Sequence, residues 1–290
     1  MSNLNEIDEV SGVETTGHSW DGIKELNNPL PRWWLWTFYL CVLFSIGYII
    51  AYPAIPGLKT SSKGLLGWSS RADVRQEFVI VDQTNADFIT KIKGSSITDI
   101  LADEKLRTFA VAAGGSTFKV RCATCHGSGA QGSTGFPNLN DNDWLWGGKP
   151  DQILQTITHG IRDASDKDTR ISQMPAFGHD NILKPEEISA VANYVLQISK
   201  QSADATLATT GAKIFTDNCA ACHGDKGEGK KEVGAPQLND AIWLYKADLN
   251  AIIAQVNNPR QGTMPTWGSK LGDVSVKELA AYVHSLGGGE

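Results

Sequence analysis

The chain has 290 residues and a formal net charge of −6, with 41% hydrophobic residues. Residues 1–32 hold six acids against Lys24 and Arg32, so −4 of that charge lies at the N-terminal end. No basic stripe runs through the sequence, which argues against a nucleic-acid partner, and the length suffices for two small domains with extra segments.

After the acidic lead, no charged residue occurs from Trp33 to Leu58. About 20 apolar residues cross the hydrocarbon core of a bilayer, so the run over 33–56 reads as one transmembrane helix. Trp33, Trp34 and Trp36 at one end and Tyr48 and Tyr52 at the other suit the two interfaces, and Pro53 and Pro56 stop the helix. An acidic 32-residue lead without a basic n-region or an A-x-A site argues against a cleaved signal, so the segment is expected to stay as an anchor. Residues 57–105, with Val74, Phe78 and Val81 followed by Phe88, Ile89 and Ile92, read as a helical or mixed linker that rises from the membrane and packs on a partner.

Two pentapeptides follow, Cys122-Ala-Thr-Cys125-His126 and Cys219-Ala-Ala-Cys222-His223. C-x-x-C-H is a c-type haem attachment site, in which the cysteines form thioethers and the histidine takes one axial position on iron. A redox dithiol or half of a zinc site would not explain a histidine directly after both pairs, nor the duplication. Apart from Met1, the only methionines are Met174 and Met264, each before a proline and in a Gly-bounded loop. Each trails one copy of the motif, so Met174 is expected as the second axial ligand of the first haem and Met264 of the second. His159 is an alternative to Met174 but reads better as a loop residue, and His179 and His284 lack any motif. Cys41, the fifth cysteine, is expected to be inert in lipid.

The surroundings of the two motifs repeat. Phe136-Pro-Asn-Leu-Asn-Asp141 and Trp144-Leu-Trp146 match Ala235-Pro-Gln-Leu-Asn-Asp240 and Trp243-Leu-Tyr245. An apolar helix, the Met-Pro loop and a closing helix follow in each copy, a duplication of a unit of roughly 90 residues. Trp144, Trp146, Trp243 and Trp267 suit either haem-pocket walls or plain core. The fold expected is mainly α: a tail (1–32), one transmembrane helix (33–56), a linker (57–105) and two tandem class I cytochrome c domains (106–200 and 201–290), joined by the small polar segment 200–206.

With His and Met on both irons neither haem keeps an open position, so the expected role is electron transfer. Covalent haem attachment places the haem domains outside the membrane. The positive-inside rule argues the reverse, because Lys59, Lys63, Arg71 and Arg75 follow the span; the attachment chemistry is the stronger constraint.

The string from His18 to Trp36 (HSWDGIKELNNPLPRWWLW), followed by Tyr52-Pro-Ala-Ile-Pro56, resembles the dihaem subunit of cbb3-type cytochrome c oxidases, the CcoP/FixP family, and the resemblance covers the whole chain. It implies two covalent haem c, a haem–copper catalytic subunit and a monohaem cytochrome subunit as partners, and electrons arriving from a soluble periplasmic cytochrome c. It also implies the bacterial inner membrane, with a cytoplasmic N-terminus that docks on the catalytic subunit. A free membrane-tethered shuttle and a dihaem peroxidase are the alternatives.

Overall fold

The computed structural model describes residues 6–288. The ends of the tail (1–5) and of the second repeat (289–290) lie outside the described residues. The chain divides into two compact units, Met1–Gln83 and Thr84–Glu290.

In the first unit the tail is not featureless. Strands β1 (Thr15–Trp20) and β2 (Ile23–Leu26) form an antiparallel hairpin in which Trp20 pairs with Ile23. Asp21 and Gly22 turn it with φ of 51° and 85°, the double left-handed turn for which Asp-Gly is suited. Helix α1 spans Arg32–Ala51, is apolar throughout and buries no residue. It is the one helix among the described residues long and apolar enough to cross a membrane. It ends earlier than the expected residue 56 because Tyr52 precedes a proline and is extended (φ −114°, ψ 161°).

Helix α2 (Ser70–Gly94) runs through the boundary into the second unit, where α3 (Ile97–Ala102) follows under a capping box from Ser96 and Asp99. Here the expected boundary at 105/106 falls too late. Ile92, Ile97 and Ile100 are fully buried in the first core, so the end of the linker belongs to it.

The repeats contribute matching elements. The first supplies α4 (Glu104–Arg121), α5 (Ala123–His126), α6 (Pro150–His159) and α7 (Pro185–Ile198). The second supplies α8 (Ala205–Asn218), α9 (Ala220–His223), α10 (Leu249–Asn257) and α11 (Gly268–Ser285), with a break at Gly272. Asp103 and Asp204 cap α4 and α8 with their side chains.

The way these helices pair departs from the sequence expectation. Two self-contained domains would pack α4 on α7 and α8 on α11. Instead α4 packs on α11 and α7 packs on α8. One core joins α3, α4 and α6 with α11; the other joins α7 and α8 with α10. The two crossings are alike. Gly114 in α4 lies against the Glu278 carbonyl and Tyr282, and Gly211 in α8 lies against the Ala190 carbonyl and Tyr194. Phe118 meets Tyr282 and Phe215 meets Tyr194, both at 5.2 Å between ring centroids. Equivalent sequences make equivalent surfaces, so periodicity alone cannot choose between pairing within a repeat and pairing across. The six residues between α7 and α8 decide it, because so short a connection favours antiparallel neighbours.

Candidate haem centres

Each motif histidine sits on a single helical turn that continues from a long helix. His126 Nδ1–H donates to Pro137 O and His223 Nδ1–H to Pro236 O, both at 3.0 Å. These bonds fix the ring and leave Nε2 free to bind a metal. Burial lowers the pKa of both rings below the ordinary 6.5, so both are neutral, ligand-ready imidazoles at pH 7. Burial also pushes the Cys122 and Cys219 thiols up to about 11, far from the thiolate that dithiol exchange needs.

A mostly apolar cavity opens beside the first motif, with about 750 Å³ between its atoms, part of it open to solvent. Cys122, His126 and Phe118 form one part of its wall, and Trp144 and Trp146 another. The methionine on that wall is Met264, accompanied by Trp267 from the same loop. Met174 packs instead in the second core, with Phe215, Cys219 and Trp243. The structure therefore brings Met264, and not the expected Met174, to the motif of His126, while Met174 lies in the core of the other motif: each methionine loop travels with its closing helix, and those helices are exchanged. His159 is not among the cavity-lining residues; its Nδ1 is bonded to Asp166 at 3.1 Å.

The donors fit a flat, acid-bearing macrocycle. Thr156 Oγ1, on the first cavity's wall, and Trp243 Nε1, at the second core, are buried without a hydrogen-bond partner. Haem carboxylates would be suitable acceptors for such groups. Arg170 Nε is a third orphan; its guanidinium lies 5.0 Å above the Trp146 ring. In mirror fashion Arg260 lies 4.5 Å above Tyr245. Trp146 presses on Gly234, and Tyr245 lies over Gly135, whose N–H donates to Leu244 O at 2.7 Å. Each aromatic thus reaches the loop that follows the other motif. Of the four tryptophans that suit either wall or core, Trp144, Trp146 and Trp267 line the first cavity and Trp243 packs in the second core.

A histidine with a free Nε2 beside a pair of cysteines, built twice among helices, with a methionine on the cavity wall of the first copy and another in the second core, defines a tandem c-type cytochrome. Comparison with known proteins gives the particular kind. The model for the "N-terminal domain of cytochrome oxidase-cbb3, FixP" matches residues 12–59, and that for "Cytochrome C oxidase, cbb3-type, subunit III" matches residues 109–195 and 206–283. FixP of Sinorhizobium medicae is 54% identical, with 98% of both chains covered. CcoP of Cereibacter sphaeroides is 50% identical over 95% of each, and CcoP of Azospirillum brasilense is 47% identical over 98% of this chain and 99% of its own. The chain belongs to the FixP/CcoP family, subunit III of cbb3-type cytochrome c oxidases, and is an electron-transfer subunit of that enzyme complex.

Proposed function

We propose that the chain carries two covalently bound haem c groups, held by Cys122 and Cys125 and by Cys219 and Cys222. The axial pairs are His126 with Met264 and His223 with Met174. Bound haem supplies a one-electron iron couple; the residues around it set its ligands, its exposure and its potential. The observation that carries this reading is the cavity on which Cys122, His126 and Met264 all lie.

With both axial positions filled, neither iron offers a place for oxygen or peroxide, so the chain relays electrons. It takes them from a soluble periplasmic cytochrome c, directly or through the monohaem subunit, and passes them toward the haem–copper catalytic subunit. Helix α1 anchors the chain in the bacterial inner membrane as a single span, with the tail cytoplasmic and the haem domains periplasmic. The hairpin beside the span supports docking on the complex, since a bare lipid anchor needs no such structure.

Purification from membranes, haem staining and replacement of each methionine test the reading. Met264→Ala should abolish the sulfur–iron absorption of the haem on Cys122 and Cys125, and Met174→Ala that of the other. Loss at the opposite haem would restore pairing within each repeat. Rapid cyanide binding to the oxidised wild-type protein would favour a peroxidase instead. If deletion of residues 1–32 left the chain in the complex, the docking role of the tail would be wrong.

A further inference from the structure

The two repeats hold their methionine loops differently. Counted from the first buried isoleucine of each apolar helix, 21 residues separate Ile153 from Met174, but 12 separate Ile252 from Met264. The first copy therefore carries nine extra residues, Asp163–Ile171, between Arg162 and Ser172. They lie against the methionine loop of the second copy.

Thr266, 4% exposed, follows Met264 by two residues. Its backbone N–H donates to Asp163 Oδ2 at 2.8 Å. Its hydroxyl, with one proton to share, lies 2.6 Å from Thr158 O and 3.0 Å from Asp166 Oδ2. The extra segment is itself braced. Asp163 also accepts from the Ser165 N–H (3.0 Å) and hydroxyl (2.7 Å), and Asp166 accepts from the Asp168 N–H (2.8 Å) and the His159 ring. Next to this contact, Met264 and Ile161 exchange backbone hydrogen bonds in both directions, at 2.9 and 3.0 Å.

At the other centre the residue two beyond Met174 is Ala176, which has no hydroxyl, and no extra segment faces it. Among the described residues, the Gln261 side chain meets the Met174 backbone, accepting from its N–H at 3.1 Å and donating to its carbonyl at 2.9 Å. The hydroxyl and the acidic segment thus occur together, on opposite repeats, at one centre and not at the other.

We propose that Asp163–Ile171 is a latch that positions Met264 as the sixth ligand of the first haem, with Asp163 and Asp166 as its positioning residues. The latch makes that ligand the stiffer of the two, so exogenous ligands enter the first haem more slowly than the second. The proposal rests on the exchanged ligation proposed above.

The test uses the full chain with both haems, in Asp163→Ala/Asp166→Ala and Thr266→Val forms. The oxidised protein is observed by proton NMR, in which each iron-bound methionine gives its own shifted methyl signal, assigned with Met264→Ala and Met174→Ala. The double variant should move or broaden the Met264 signal alone and speed cyanide entry at the first haem roughly tenfold, the effect of one ordinary hydrogen bond. Thr266→Val, which keeps the backbone N–H, should do the same more weakly, and Asp163→Asn should restore most of the wild-type behaviour. An unchanged Met264 signal and cyanide rate in both forms overturns the latch, as does equal loosening of both haems. If the double variant fails to take up haem, Thr266→Val decides. Contact between the Met264 methyl and the thioether bridges of Cys122 and Cys125 in wild-type spectra checks the ligation itself. Contact with the bridges of Cys219 and Cys222 would sink the exchanged ligation whatever the latch does.

Discussion

Asn193 and Asp204 are joined by a 2.9 Å hydrogen bond, the Asn193 side-chain oxygen accepting from the Asp204 backbone N–H. The turn that leaves α7 is thereby tied back to the buried middle of that helix, while the Asp204 carboxylate caps α8. One bond fastens together two helices that belong to different sequence repeats.

Cutting that turn separates the two possible architectures. A protease site placed between Gln201 and Ala203 should, once cleaved, leave two pieces that run together in gel filtration. They stay joined because each core contains helices from both sides of the cut. Clean separation into two pieces, each with intact sulfur–iron absorption, would mean that the repeats are self-contained.

The helix crossings give a second prediction. A methyl group at Gly114 would collide with the Glu278 carbonyl, and one at Gly211 with the Ala190 carbonyl. Overpacking of this kind costs about 2–3 kcal/mol. Gly114→Ala should weaken Met264 ligation before Met174 ligation, and Gly211→Ala the reverse. Spectra of each haem during thermal unfolding would show the order, and the opposite order would contradict the exchange.

Gln261 supports a third. Replacing it by Ala removes both hydrogen bonds to the Met174 backbone, so the Met174 methyl signal should broaden and cyanide should enter the second haem faster. Gln261→Glu keeps an acceptor for the Met174 N–H but loses the donor to its carbonyl, and should fall between Ala and wild type. No difference between Ala and wild type would leave the clamp without a role.

Glu278 supports a prediction about pH. It is 7% exposed in α11, and burial raises its carboxyl from the ordinary 4.5 to about 7. A raised carboxyl binds its proton more tightly in the folded chain than in the unfolded one. Folding stability should therefore fall as pH rises from 4.5 through 7 and then level off. Glu278→Ala, which installs the residue found at the equivalent position 190, should remove this slope. At pH 8 the expected relief is on the order of 2 kcal/mol, less whatever the cavity costs. Denaturant unfolding of both forms at pH 5 and pH 8 measures the difference.

Much of the molecule was legible in the sequence because its chemistry is local. The pentapeptides, the two methionines and the uncharged run each announce themselves within a few residues. The hairpin at Asp21-Gly22 carries its signal in its turn residues alone, because the strands around it lie in an acidic tail without an apolar alternation. What local reading could not reach was partner choice. Gly114 and Gly211 meet helices that present the same small residue and tyrosine pattern, and the shortness of the α7–α8 turn favours one pairing. The role proposed for Thr266 is hidden for the same reason: its carboxylate acceptors, Asp163 and Asp166, lie about a hundred residues earlier, in a segment that aligns with nothing in the other repeat.

The exchange of closing helices also bears on the order in which the chain can mature. On the ligation proposed above, the first haem site in the sequence would be the last to be completed, because its sixth ligand lies at residue 264, whereas the second site would find its methionine already in place at residue 174. On that ligation, a chain that stopped before Met264 would leave a five-coordinate iron at its earlier site and a finished one at its later site. The presence of the second methionine loop would thus be registered at the opposite end of the haem-bearing region, and a product truncated before it would carry a reactive first centre as its mark.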